Sequence, residues 1–354
     1  MKTNPSKGAA SPRRYAKRKA IKLSDIAKAA NVSSATVSRL MTGKAAVAPE
    51  MKEKIRAAAV RLGFDLERSK KTKIIAFILS NRGVLHPFHS AVLMGAEAYC
   101  AEHGYGLLFL PFEYSTTAAA RDLQAPDILD RQGVVSGAIV AGTNSQSLLE
   151  LLSSRRIPWV ALGNNVIGQR DGMQAGCIYF DDTNGAHEMT KYLLSLGHRR
   201  IGFVGNLNLP WYARRFRGYE LAMAEAGCEP LASKLNSSDG EEMGYMASKL
   251  MLQESAGVTA IFAGDDAAAR GVYKAARDRG MQIPSGLSVA GFNDTPEALL
   301  MQPPLTSVRV FVDELGRQLA ESLLKQIRGG IPSEALHLPT QLVRRESCGA
   351  PIAE

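Results

Sequence analysis

Residues 21–39 read IKLSDIAKAANVSSATVSR, and their spacing predicts two short helices joined by a tight turn. Ile26, Ala27 and Ala30 fall on one face of the first helix. Ser24 is placed to cap it, and Asp25 sits in the first turn, where the helix dipole favours an anion. Asn31, Val32 and Ser33 make the turn, because Asn tolerates a left-handed backbone and Ser33 can cap the next helix. In that second helix Val37, Leu40 and Met41 share an inner face with Val32. Ser34, Ala35, Ser38 and Arg39 are left outside. A third helix is expected from 48 onward, with Pro49 at its first position and Glu50 and Glu53 near its positive end. Ile55, Ala58, Ala59 and Leu62 then close a small core, and Gly63 ends the helix.

A slim polar helix of this kind fits the major groove, where Arg39 can pair with guanine and hydroxyls suit phosphates or base edges. The same pattern also describes a plain helical hairpin. Charge separates the two. Residues 1–73 carry 19 Lys and Arg against 5 Asp and Glu, a net of +14, whereas the rest of the chain carries 24 against 29, a net of −5. Basicity confined to one end is the footprint of a polyanion-binding head on an ordinary body.

The stretch DIAKAANVSSATVSRLMTG, followed by VAPEMKEKI and the aromatic of LGF, resembles the headpiece of the LacI/GalR family of bacterial transcription regulators. The resemblance runs on through SLGHRRIGFVGN, RRFRGYELAMAEAG, DDAAARGVYKAARDRGMQIPSGLSVAGFND, PPLTSVR and LVRRES. By this resemblance Ser34, Ala35 and Arg39 fall where the family reads bases, and Ser24, Ser33, Thr36 and Ser38 where it touches phosphates. Thr42 stands among the contact residues where an Asn is usual, and Ala48 replaces a common hydroxyl cap.

Residues 1–20 hold seven Lys and Arg and no acid, which reads as a basic disordered arm. No apolar run follows the charges as in a signal peptide, and no stretch of about 18 apolar residues occurs. A soluble cytoplasmic protein with no membrane association is expected. The headpiece then spans 21–64. The linker, 65–73, is shorter than the family's usual hinge, with Leu66 its one apolar candidate for a minor-groove wedge. Its Arg68, Lys70, Lys71 and Lys73 are expected to track phosphate, or to stand solvated.

From residue 74 short apolar runs alternate with amphipathic segments. IIAFILS, GLLFLPF, GAIVAG, WVALG, CIYF, RIGFVG, TAIFAG and LSVAGF read as strands buried on both faces. Helices are expected between them, at 89–103, 145–155, 184–196, 214–226 and 265–279. This order predicts doubly wound parallel sheets, and the length suits two such units. The fold class is therefore an all-α helix-turn-helix headpiece followed by an α/β body. By resemblance that body, 74–354, is a type I periplasmic-binding-protein fold. Its first lobe is expected at about 74–181 and 309–332, its second at about 182–308 and 333–354, and a ligand between them at strand carboxyl ends.

Strand ends nominate a pocket. Ser80 and Asn81 follow the first strand, and Phe88 comes soon after, where the family often places an aromatic. Arg215 matches the family's effector-contacting arginine, four residues after Trp211. Asp265, with Asp266 beside it, follows a strand and matches a polar position. Asn293 stands where an aspartate is frequent. Such a set suits a polyhydroxylated, sugar-like ligand. Without the resemblance, Arg215 reads as a surface salt bridge, and Phe88 and Trp211 read equally well as core. Asp181 is expected at the lobe crossover.

Enzymatic motifs are missing: there is no GxxxxGK[ST], GxSxG or strand-following GxGxxG. Four scattered cysteines read as reduced thiols, and His86 and His89 lack further metal ligands nearby. No cofactor or metal is expected. The reading is a homodimeric transcription regulator, with repression the commoner family outcome, holding a roughly palindromic operator under control of a small molecule. A binding or transport protein with a vestigial head, and a constitutive DNA-binding dimer, are the alternatives.

Overall fold

The structure, a computed structural model, describes residues 22–42, 47–62, 64, 73–82, 86–131, 133–168, 174–233, 235–237, 239–254, 257–329, 331–332 and 334–352. The arm and the linker basics Arg68, Lys70 and Lys71 lie outside these, as does the side chain of Thr42. The chain forms two units, divided between Lys71 and Thr72.

The head is three helices, α1 (Leu23–Ala30), α2 (Ser34–Thr42) and α3 (Pro49–Leu62). Ile26, Val37, Ile55 and Ala58 are fully buried at its centre, with Val32, Leu40, Met41, Leu62 and Phe64 packed around them. Asn31 takes the left-handed conformation, φ 53° and ψ 48°, that closes α1. The Ser33 hydroxyl accepts the Thr36 N–H at 3.1 Å and so caps α2. The cap expected at Ser24 moves two residues back. Helix α1 already includes Ser24, and the open N–H of Lys22 donates instead to the Asp25 carboxylate at 2.8 Å. A carboxylate reaching back from the first turn satisfies the same orphan donor as a hydroxyl cap.

The body contains β1 (Ile74–Ser80), α4 (Pro87–Glu102), β2 (Gly106–Phe112), β3 (Gly137–Gly142), β4 (Asn144–Ser145), α5 (Gln146–Ser154), β5 (Trp159–Leu162), β6 (Val166–Ile167) and β7 (Cys177–Phe180). After these come α6 (Asp182–Ser195), β8 (Ile201–Val204), α7 (Pro210–Glu225), β9 (Leu231–Ala232), α8 (Gly240–Glu254), β10 (Ala260–Ala263), α9 (Asp266–Asp278) and β11 (Ser288–Asn293). The last are α10 (Pro296–Leu300), β12 (Thr306–Arg309), α11 (Val312–Gly329), β13 (Leu336–Leu338) and β14 (Gln341–Val343). Two six-stranded sheets result, ordered β13-β7-β5-β3-β1-β2 and β14-β12-β11-β10-β8-β9. All pairings are parallel except β12 with β14. Strands β3, β7, β8 and β10 are buried along their whole length, which explains their continuous apolar runs.

The chain passes between the lobes three times. It crosses after β7 at Asp181, after β12 at Val310, and once more between β13 and β14, so the lobe boundary expected at 332 falls after Leu338. Leu336, His337 and Leu338 pair with Ile178, Tyr179 and Phe180 of the first lobe. Asp181 caps α6 by accepting the Asn184 N–H at 2.9 Å, its N–H donates to Leu338 O, and Thr340 donates to its carbonyl. Among the described residues no helix is long and apolar enough to cross a membrane.

Candidate functional site

In the head, Ser24, Ser33, Ser34, Ala35, Ser38 and Arg39 are exposed, while Thr36 is half-buried with its hydroxyl 2.8 Å from that of Ser33. The outward face of α2 is therefore the one its sequence spacing demands: turning Val37 and Leu40 inward leaves Ser34, Ala35, Ser38 and Arg39 outside. Arg61 fastens α3 to α1 by donating to Ala29 O at 3.3 Å. Lys73 belongs to the start of the body rather than to a free linker: its carbonyl accepts the Gly106 N–H, and its ammonium stands 5.7 Å from the Tyr105 ring centre.

In the body a cleft opens between the lobes. The first lobe contributes Arg82, His86, Phe88, His89, Asn165 and Phe180. From the second come Leu209, Trp211, Tyr212, Arg215, Asp265 and Asn293, among others. Most follow the carboxyl ends of parallel strands, where crossover connections leave backbone and helix starts unpaired by the sheet.

Helix α7 begins at Pro210 rather than at 214, so Trp211 and Arg215 share a face one turn apart. Arg215 is 2% exposed. Its Nε donates to Asp182 Oδ1 at 2.7 Å, Nη1 to Gly264 O at 2.7 Å and Nη2 to Asn293 Oδ1 at 3.1 Å. The guanidinium also lies 3.8 Å from the Phe292 ring centre. Arg215 is thus neither a surface ion pair nor a loose cleft residue, but a buried one whose edge reaches the cleft. Asp182 holds Arg214 as well, at 3.1 Å, and takes a bond from Asn164 Nδ2 at 2.8 Å; Arg214 donates onward to Asn164 O.

Asp265 caps α9, accepting the Ala268 N–H at 2.8 Å on one oxygen and the Tyr212 hydroxyl at 2.5 Å on the other. Burial, and then the Asp265 charge, push the Tyr212 phenol well above its ordinary value, so it remains a donor. Asn293 faces the cleft from the end of β11 with φ 102°. Phe88 packs on His89 and Phe180 and is 8% exposed, so it is both core and cleft wall.

Three nominated residues do not line the cleft. Ser80 is fully buried at the end of β1, against the backbone of Gly142. Asn81 turns its amide toward the neighbouring loops, Nδ2 donating to Thr143 O at 3.0 Å and Oδ1 accepting the Tyr114 N–H at 2.8 Å. Asp266 points away, taking bonds from the Ser307 hydroxyl at 2.6 Å and the Thr295 N–H at 2.7 Å. Burial pushes its carboxyl up to about 7. Strand-end position fixes where a backbone stops, but not which way the next side chain turns.

Sequence reasoning missed Arg82, Asp182 and Tyr212. Arg82 sits with its guanidinium 5.0 Å from the Trp211 ring centre, stacking a first-lobe cation on a second-lobe aromatic. His86 caps α4 by accepting the Phe88 N–H on Nδ1 at 3.3 Å, so its neutral ring carries the proton on Nε2. Burial lowers the affinity of His86 for a second proton, and burial followed by the Arg82 charge pushes His89 down to about 3. Both rings are neutral near pH 7. Among the described residues no group of His, Cys, Asp and Glu is arranged to hold a metal ion. All four cysteines are free thiols. His198 is structural, bonding Thr259, Ser288 and Gly349.

Residues 22–65 match the profile described as "Bacterial regulatory proteins, lacI family", and residues 190–348 match "Periplasmic binding protein-like domain". The "Ribose operon repressor" of Haemophilus influenzae is 29% identical over 336 residues, covering 92% of this chain and 98% of that protein. The "HTH-type transcriptional regulator DegA" of Bacillus subtilis is 27% identical over 333 residues, covering 91% and 96%. Among solved structures, the lac repressor dimer bound to operator and the anti-inducer ONPF superposes with a TM-score of 0.69 at 24% identity, over 94% of this chain and all of that one. That likeness is one of fold.

Proposed function

Since this chain belongs to the LacI/GalR family of bacterial transcription regulators, we propose that it is a dimeric repressor whose grip on a palindromic operator is set by a sugar-like effector in the cleft. The observation that carries the reading is the pairing, in one chain, of an exposed polar α2 on a segment of net charge +14 with a two-lobed body whose cleft converges Arg215, Asp265 and Asn293. Ser34, Ala35 and Arg39 are assigned to base edges. Ser24, Ser33, Thr36 and Ser38 are assigned to phosphates, which position the helix without reading sequence. Arg68, Lys70 and Lys71 extend the phosphate track. A two-fold dimer sets two such helices in successive major grooves about 10 bp apart.

In the cleft, Arg215, Asp265 and Asn293 hydrogen-bond ligand hydroxyls while Phe88 and Trp211 cover the ring faces. The ligand acts by preferring one lobe arrangement, and it shifts DNA affinity by no more than that preference. A relative named for the operon it represses, the "Ribose operon repressor", supports the sugar class. A non-enzymatic, cytoplasmic protein completes the reading. Selection from a random duplex pool, with and without a sugar mixture, tests it. A palindrome whose enrichment responds to the mixture is expected. A palindrome indifferent to all additives favours a constitutive DNA-binding dimer, and no enriched sequence favours a binding protein with a vestigial head.

A further inference from the structure

Arg82 and Arg215 both reach the cleft, but their surroundings differ. Arg215 has its counter-charge built in, since Asp182 lies 2.7 Å from its Nε, and three of its donors are occupied. Arg82 has none. Among the described residues it makes no ion pair within 4 Å, and its Nε is buried without a hydrogen-bond partner. Asp265, the carboxylate that raises its proton affinity, has both oxygens engaged by Ala268 and Tyr212. Burial of the guanidinium is the larger influence and acts the other way. A half-buried guanidinium with one donor shut off from water and unfilled is costly unless something supplies charge and acceptors.

The groups next to it point the same way. The neutral His86 offers an Nε2–H, and His89, 3% exposed, lines the cleft with its Nδ1 buried and unpartnered. Asn81 holds this corner rigid through Thr143 and Tyr114, and Trp211 stacks on the guanidinium face. Stacking fixes the plane of the fork and leaves its edge to meet a planar or tetrahedral anion.

We propose that the first-lobe end of the cleft, at Arg82, binds an acidic group, so that the ligand is a sugar bearing a carboxylate or phosphate rather than a neutral sugar. The proposal rests on the effector reading above and names the class within it. The acid group lies against Arg82 with His86 and His89 beside it, and the hydroxyls extend toward Arg215 and Asn293.

The chain has two tryptophans, so in a Trp159→Phe background the emission of Trp211 reports on the ring that touches Arg82. The full-length protein is titrated with D-gluconate, D-galacturonate and glucose 6-phosphate, and with neutral D-glucose and D-galactose. At least one acid is expected to saturate at a concentration lower than its neutral parent by about tenfold or more, the effect of one charge-assisted pair. The carboxylate and phosphate arms tell the two acid chemistries apart. In Arg82→Gln the preference for acid disappears while weak neutral-sugar binding persists. Neutral sugars binding as tightly as the acids, or an acid preference that survives Arg82→Gln, overturns the proposal and leaves the sugar-binding cleft intact. Absence of any change in emission or melting with every probe overturns both.

Discussion

Arg215 Nε and Asp182 Oδ1 stand 2.7 Å apart, each side chain almost wholly buried, one on the cleft helix α7 and the other in the first turn of α6 just past the lobe crossover. Since Asp182 also holds Arg214 and Asn164, the cleft arginine is tied directly to the segment joining the two lobes. A ligand that pulls on Arg215 therefore pulls on the crossover.

Asp182→Asn is expected to unfold at lower urea than the parent. It leaves a buried guanidinium without its counter-charge, a change that costs about 3 kcal/mol in comparable buried pairs. The midpoint of chemical denaturation checks this, and an unchanged midpoint would show that Arg215 is satisfied by Gly264 and Asn293 alone.

Arg39→Ala should cost about 1–3 kcal/mol on the preferred operator and relax the choice at one base position. Competition between the operator and its single-base variants measures it. Equal loss on every duplex would mean that Arg39 meets phosphate instead.

Ser33→Ala removes the acceptor for the Thr36 N–H at the start of α2. A lost cap costs about 1 kcal/mol, and because the whole helix frays, binding to operator and to random duplex should weaken by similar factors. A parallel displacement of the two titration curves is the expected result.

Asp266 gives the body a pH dependence. Its folded pKa of about 7 lies above the ordinary 3.8, so the fold prefers the protonated carboxyl. The resulting stability is fully present below the unfolded value and is lost as pH rises through about 7. The urea midpoint of the parent should fall between about pH 5 and pH 8 relative to Asp266→Asn, whose amide can still accept from Thr295 and donate to Ser307. Parallel profiles for the two proteins would contradict this assignment.

The bounds of β1 and β3 coincide with the runs IIAFILS and GAIVAG, because strands covered by helices on both faces need apolar residues throughout. The run GLLFLPF also marks the bounds of β2, but β2 is an edge strand and not buried on both faces as its run suggests: only Phe112 is buried, and Phe109 is 40% exposed. Strands β13 and β14 carry no such run. They are three residues each, half-exposed, and defined by partners far away in sequence. The start of α7 was legible in Pro210, which suits a first helical position, and reading it there would have placed Trp211 with Arg215 on one face. Asp182 was not legible, since its importance comes from Arg215 and Arg214, more than thirty positions away, arriving beside it. Arg82 gave no local signal either. It follows Asn81 in a turn, and only the docking of the second lobe brings Trp211 over it.

The three passages between lobes also set an order of assembly. On a growing chain the first lobe cannot complete its sheet when β7 appears, because β7 has an open edge until β13 arrives, and α4 waits for α11, against which it packs. The second lobe likewise lacks the edge strand β14. The residues after β12, fewer than fifty, finish both halves together. A nonsense change just before Val312 thus leaves two incomplete sheets rather than one intact lobe, and a protease cut there should release the cooperativity of both.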